Sequence, residues 1–206
     1  MRSNTPALIT TTTPGVLGAL RSLVPQREAV TFTEALRVAE FQAARLLDRF
    51  DIDDGPVPTE IVSELPRVQV VYADLPVSGT SHWNGHTWVI AIARNESRAR
   101  QRFTLMHEFK HVLDHGHAHK LYRGPQSEQA ADYFAGCALV PRRLLKRAWG
   151  SGVRHPADLA RHFGVSIQAI TVRLAQTGLA LDTDRCDRPV RAQVPGQTLR
   201  TVGGPT

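Results

Sequence analysis

The sequence predicts an α+β fold, a small β-sheet packed on a core of two helices, with a helix-turn-helix-like unit near the C-terminus. Three observations predict it. Val68-Gln-Val-Val-Tyr72 and Thr87-Trp-Val-Ile-Ala-Ile92 are compact β-branched runs, too few for a large sheet. Two helical patterns follow them, around residues 102–115 and 128–135. Between Asp158 and Gly178, two further helical patterns flank a Gly164-Val-Ser166 turn.

At 206 residues and 42% hydrophobic content, the chain can bury one good core with a small accessory module. No apolar run is long enough to span a bilayer. The opening Met1-Arg-Ser-Asn-Thr-Pro6 leads into a Thr-rich, weakly apolar segment without a signal-peptide core, so the expected location is cytoplasmic. Cys137 and Cys186 make no disulfide framework and lie at no metal-ligand spacing from each other. The formal net charge of +6 is uneven. Residues 1–140 hold 14 Lys and Arg against 15 Asp and Glu, whereas residues 141–206 hold 11 against 4. A basic last third suits an acidic partner or nucleic acid, but abundant arginine throughout also fits a plain compositional bias.

Taken in order, residues 1–30 show little periodicity and are expected to be a poorly ordered leader. From Thr33, expected as the N-cap, Ala35, Val38, Ala39, Phe41, Ala43, Leu46, Leu47 and Phe50 recur at helical spacing. Asp53-Asp-Gly-Pro56 ends that helix, and a short one starts near Pro58 or Thr59. Residues 76–86, with Pro, Ser, Gly and Asn, read as a turn region between the two strands. A strand beside the central helix would leave a sheet edge to which an extended peptide could add. Ser97 caps the long helix. Beyond Leu181 the chain is polar and reads as a disordered tail over 182–206.

The long helix carries the chemistry, in His107-Glu108-x-x-His111. Residues four apart stand above one another on a helix, so the two imidazoles can face one ion. Two neutral imidazoles on Zn²⁺, with Glu108 taking a proton from a bound water, is the zinc-hydrolase arrangement. At about 100° per residue, Leu105, Met106, Phe109, Val112 and Leu113 fill one face while His107, His111 and His115 look the other way, with Glu108 at the margin. The imidazoles therefore face a cleft rather than the core.

Two candidates compete for the third ligand. His117 stands at the metzincin position, but that pattern needs Gly where this chain has Asp114, and a downstream Met that is absent. Glu128 and Asp132, again four apart, offer the alternative. One carboxylate can ligate the ion while the other accepts the free imidazole N–H of a ligand histidine. Ala131 and Ala135 on that face permit close helix approach. Glu-x-x-x-Asp after His-Glu-x-x-His resembles the gluzincin class of zinc peptidases.

Together, Trp88-Val-Ile-Ala-Ile92, Arg102-Phe-Thr-Leu-Met-His-Glu-x-x-His-x-x-x-His115 and Glu128-x-x-Ala-Asp-x-Phe-Ala-x-x-Leu-x-x-Pro141 resemble the ImmA/IrrE metallo-endopeptidases. The resemblance covers roughly residues 33–178. It implies a zinc peptidase with His107, His111 and Glu128 as ligands, Glu108 as general base and Asp132 supporting a ligand histidine. It further implies a cytoplasmic bacterial protease that cleaves helix-turn-helix repressors, releasing stress-response or mobile-element genes. His115 matches a common family histidine. Lys110 departs from the small residue common there, and its wheel position beside His107 places it on the cleft rim. Tyr122 and Tyr133 are candidates for polarising the scissile carbonyl, and His117 and His119 read as loop residues. The peptidase unit is assigned to residues 31–150 and the helical unit to 151–181.

In DNA-binding helix-turn-helix proteins the second helix enters the major groove. Its exposed positions here are expected to include Gln168, Thr171, Arg173 and Gln176, with Gln168 and Arg173 the candidate DNA contacts. One charge is thin for phosphate or guanine contacts. The rival reading is a DNA-binding regulator whose zinc site is structural or vestigial.

Overall fold

A computed structural model describes residues 15–179. Residues 1–14 of the expected leader and the tail expected over 182–206 lie outside the described residues. Within 15–30, the expected lack of structure gives way to α1 (Val16–Arg21), with Leu20 and Val24 buried.

α2 (Phe32–Arg49) starts two residues earlier than Thr33 suggested. Thr31 and Glu34 form a capping box: the Thr31 hydroxyl accepts from the Glu34 amide at 3.3 Å, and the Thr31 amide donates to Glu34 Oε2 at 2.9 Å. The Thr31 backbone bond, helped by Arg27, holds the Glu34 carboxyl down at about 2. α3 (Glu60–Ser63) follows, as expected of the segment near Thr59.

Among the described residues the sheet has three strands, not two. β1 (Val68–Ala73) and β3 (Trp88–Ala93) match the predicted runs and pair in parallel. The stretch read as a turn region contains β2 (Gly79–Trp83), antiparallel to β3 and at the sheet edge in the order β1-β3-β2. The Asn84-Gly85 turn closes this hairpin, with Asn84 Oδ1 accepting from the amides of His86 and Thr87 at 3.0 and 2.8 Å. Asn-Gly between strand-like segments is a strong hairpin signal. The strand itself is hard to see in the sequence, because β2, Gly-Thr-Ser-His-Trp, has no aliphatic alternation.

α4 (Arg98–Asp114), capped by Ser97, lies against β2 and β3 and packs on α6 (Gln126–Leu139), which in turn packs on α2. Leu105, Met106, Phe109, Val112 and Leu113 are all buried, as the helical wheel predicts. Ala131 and Ala135 are fully buried between the helices, and the rings of Phe109 and Phe134 meet with centroids 6.2 Å apart. A fully buried side chain of this size contributes about 1.5–3 kcal/mol. Short α5 (Ala118–Leu121) connects α4 to α6, and α7 (Arg142–Gly150) follows.

α8 (Pro156–Phe163) ends on Gly164 in the left-handed region at φ 64°, a conformation that favours glycine. Ser166 caps α9 (Ile167–Thr177) by accepting from the Ala169 amide at 3.1 Å, as the sequence predicts. Leu159, Phe163, Ile170 and Leu174 belong to the same buried cluster as Phe109. Two arginines fasten this pair of helices. Arg102 on α4 donates to Gly164 O at 3.0 Å and to Val57 O at 2.8 Å. Arg173 on α9 crosses α6 at Gly136, where a Cβ would stand 3.2 Å from its Cδ, and donates to Val140 O at 3.1 Å.

Candidate metal centre and its cleft

Because α4 buries its aliphatic face, His107 and His111 emerge on the side facing α6, and α6 brings its first turn to them. His107 Nε2 lies 3.1 Å from His111 Nε2. Glu128 Oε2 is 3.3 Å from the first nitrogen and Oε1 is 3.4 Å from the second. Four atoms that all carry lone pairs thus converge, a repulsive arrangement unless protons or a cation stand among them. A tetrahedral ion with ligands about 2.0–2.1 Å away would space those ligands by roughly 3.3 Å. His107, His111 and Glu128 therefore fit a metal ion, and are the group of that kind among the described residues.

Asp132, one turn after Glu128, accepts at 2.8 Å from His107 Nδ1. That bond assigns the Nδ1–H tautomer and directs the Nε2 lone pair at the shared point. Burial alone would lower the His107 pKa. The Asp132 hydrogen bond, with the charges of Asp132, Glu108 and Glu128, outweighs it and raises the value.

Glu108 stands beside the metal group but looks toward the sheet. Ser81 on β2 donates to Glu108 Oε2 at 2.8 Å, which leaves Oε1 unengaged by that partner. Gly79 makes the close approach possible: a Cβ there would collide with Thr104 Cγ2 and stand 3.3 Å from Glu108 Cγ. Sequence reasoning missed Ser81 because it missed β2. A cleft of about 690 Å³ reaches His107, Glu108 and Asp132, with the start of β2 on one side and α9 on the other.

The remaining candidates separate. His115 packs on the Trp88 ring at 4.8 Å, and His117 is the N-cap of α5; neither joins the metal group. Tyr122 is buried and donates to Asp114 Oδ2 at 2.5 Å, outside the cleft. Tyr133 lines the cleft, its hydroxyl 3.3 Å from Glu40 Oε2. Lys110 does not sit on the rim. It is fully buried, because Gln42 and Asp114 offer acceptors at 3.0 and 2.5 Å. Gln168 is exposed and lines the cleft. Arg173, expected on the exposed face, is 2% exposed. Val140, its acceptor, is the C-cap of α6, where free carbonyls and the helix dipole favour a cation.

A small mixed sheet, a helix pair with a convergent His-His-Glu group and an adjacent carboxylate define a metallopeptidase-like protein. The chain belongs to the peptidase family described as the IrrE N-terminal-like domain, whose model matches residues 64–175. Among solved structures, a Mycobacterium tuberculosis transcriptional regulator has a similar fold, with a TM-score of 0.51 and 22% identity. The match covers 79% of this chain and 52% of that one, so the chain spans about half the length of that structure. No curated protein matches the chain. No helix among the described residues is long and apolar enough to cross a membrane.

Proposed function

We propose that the chain is a zinc-dependent endopeptidase of gluzincin type. His107, His111 and Glu128 hold the ion, Glu108 is the general base and Asp132 orients His107. The observation that carries this reading is the convergence of three ligand side chains at 3.1–3.4 Å. Zinc held by these residues would supply Lewis acidity to acidify a water and polarise a peptide carbonyl.

The chain's own groups do the rest. An extended substrate pairs with the outer edge of β2, which is unpaired among the described residues. That pairing sets the scissile bond over Glu108. Ser81 keeps one Glu108 oxygen engaged, so the other accepts the water's proton and later delivers it to the leaving amine nitrogen. Residues 31–150 form the peptidase unit and 151–181 the helical unit beside it. The family resemblance supports a helix-turn-helix repressor as substrate, a cytoplasmic setting, and derepression of stress-response or mobile-element genes as the outcome.

Incubating the protein with candidate repressors, with and without added zinc, and reading products by mass spectrometry tests this. Glu108→Gln should keep one equivalent of zinc and lose cleavage by about 10²–10⁴-fold. Retained cleavage would refute the mechanism.

A further inference from the structure

We propose that α9 is the substrate-reading wall of the cleft, accepting an extended peptide whose side chain next to the scissile bond is apolar and lodges against Val172 and Phe103. This rests on the peptidase reading above and specifies its substrate. Three cleft residues, Gln168, Val172 and Gln176, succeed one another at four-residue intervals and so form one stripe along α9. The stripe reads amide, apolar, amide. Val172 is 48% exposed while Ile170 and Leu174, its neighbours two residues away, are buried. Phe103 of α4 lines the same cleft. The amides one turn to either side can hydrogen-bond peptide groups of an extended chain.

The wall offers no charge to a charged substrate side chain. Arg173, the sole charge on α9, is buried and engaged by Val140 O and Gln176 Oε1. Arg100, at the cleft's other side, is held by Glu96 at 3.7 Å and Ser78 at 3.2 Å. A charged side chain pressed against Val172 and Phe103 would lose water to two apolar neighbours, and the exposed charges of the cleft, Asp132 and Arg100, already face His107 and Glu96. The stripe lines a cleft, whereas a recognition helix presents its residues on a free face with phosphate-binding cations around it. Arg102 and Arg173 fasten the unit instead, making α9 a fixed wall.

The test uses the full, zinc-loaded chain carrying Glu108→Gln, so that peptides bind without turnover, on an array of extended peptides. Apolar residues should be enriched at one fixed position. Adding Val172→Asp should weaken binding of those peptides at least about tenfold and enrich Lys or Arg at the same position. The site is exposed, so an unchanged melting temperature should accompany it. As a second variant, Gln168→Ala should weaken all peptides without altering the preferred residue. If peptides bind as expected but none is cleaved by the unsubstituted protein, the peptidase reading fails and the wall stands. An unchanged preference in Val172→Asp, enrichment of a charged residue by the parent protein, or no peptide binding overturns the proposal. So does duplex DNA that binds through Val172 and displaces peptide.

Discussion

Helix α4 takes part in two polar clusters whose members on that helix are interleaved in sequence and differ in burial. In one, His107, His111, Glu128 and Asp132 gather with both carboxylate side chains 62% exposed. In the other, Lys110 and Asp114 are 1% and 5% exposed, with Lys110 donating to Gln42 and Asp114 accepting from Tyr122. The buried cluster is saturated. Lys110 donates to Asp114 and Gln42, Gln42 donates onward to Leu20 O at 3.1 Å, and Tyr122 donates to the second Asp114 oxygen. Burial pushes the Lys110 pKa down, partly offset by Asp114, and pushes the Tyr122 hydroxyl up. The open cluster is the reverse: the lone pairs of His107, His111 and Glu128 converge at 3.1–3.4 Å. Saturation suits a cluster that holds the fold, whereas converging lone pairs suit one that could hold a metal ion.

The sharpest way to break this comparison is to remove one member from the buried cluster. Lys110→Met should destabilise the protein by about 3–5 kcal/mol, since it strands a buried carboxylate. Adding Asp114→Leu should recover part of that loss, because the uncompensated charge goes with it. Denaturant unfolding of the metal-free protein measures both. A loss under about 1 kcal/mol for Lys110→Met would mean the cluster is no structural pin.

The open cluster should respond the other way, with a smaller effect that unfolding does not see. Asp132→Asn should weaken metal binding by about 10–100-fold, through loss of the His107 orientation. The metal-free melting temperature should hardly move, because Asp132 is exposed. Competition with a chelating dye measures the affinity. An unchanged affinity would remove Asp132 from the site.

The open cluster was legible in the sequence because its residues sit on one helical period, His107 with His111 and Glu128 with Asp132. The helices around it were legible for the same reason, through Leu105, Phe109 and Val112. Lys110 was misplaced because a lysine on a helical wheel reads as exposed, and its partners Gln42 and Tyr122 come from distant segments that no local pattern joins. Arg173 failed likewise. Its acceptor is a backbone carbonyl at the end of another helix, and backbone carbonyls leave no trace in side-chain identity. β2 was hidden by composition, since its place depends on hydrogen bonds to β3 and on Gly79 fitting against Thr104 and Glu108.

The smallest expected effect concerns the residue that stands between the two clusters in character, Ser81. It is partly buried, satisfied by Glu108, and yet touches the candidate base. If the bond is chiefly structural, Ser81→Ala should cost about 1 kcal/mol in stability and leave cleavage alone. If it positions Glu108, stability should change by no more than that while kcat falls by about tenfold or less with KM held, since the hydroxyl restricts the carboxylate and does not contact the peptide. Ser81→Thr, which keeps the hydroxyl on a strand-favouring side chain, should restore kcat under the second reading. We expect the second pattern. The Ser81 bond engages one Glu108 oxygen and leaves the other free of that partner, and the neighbouring Gly79 shows the strand packed close enough to keep it there.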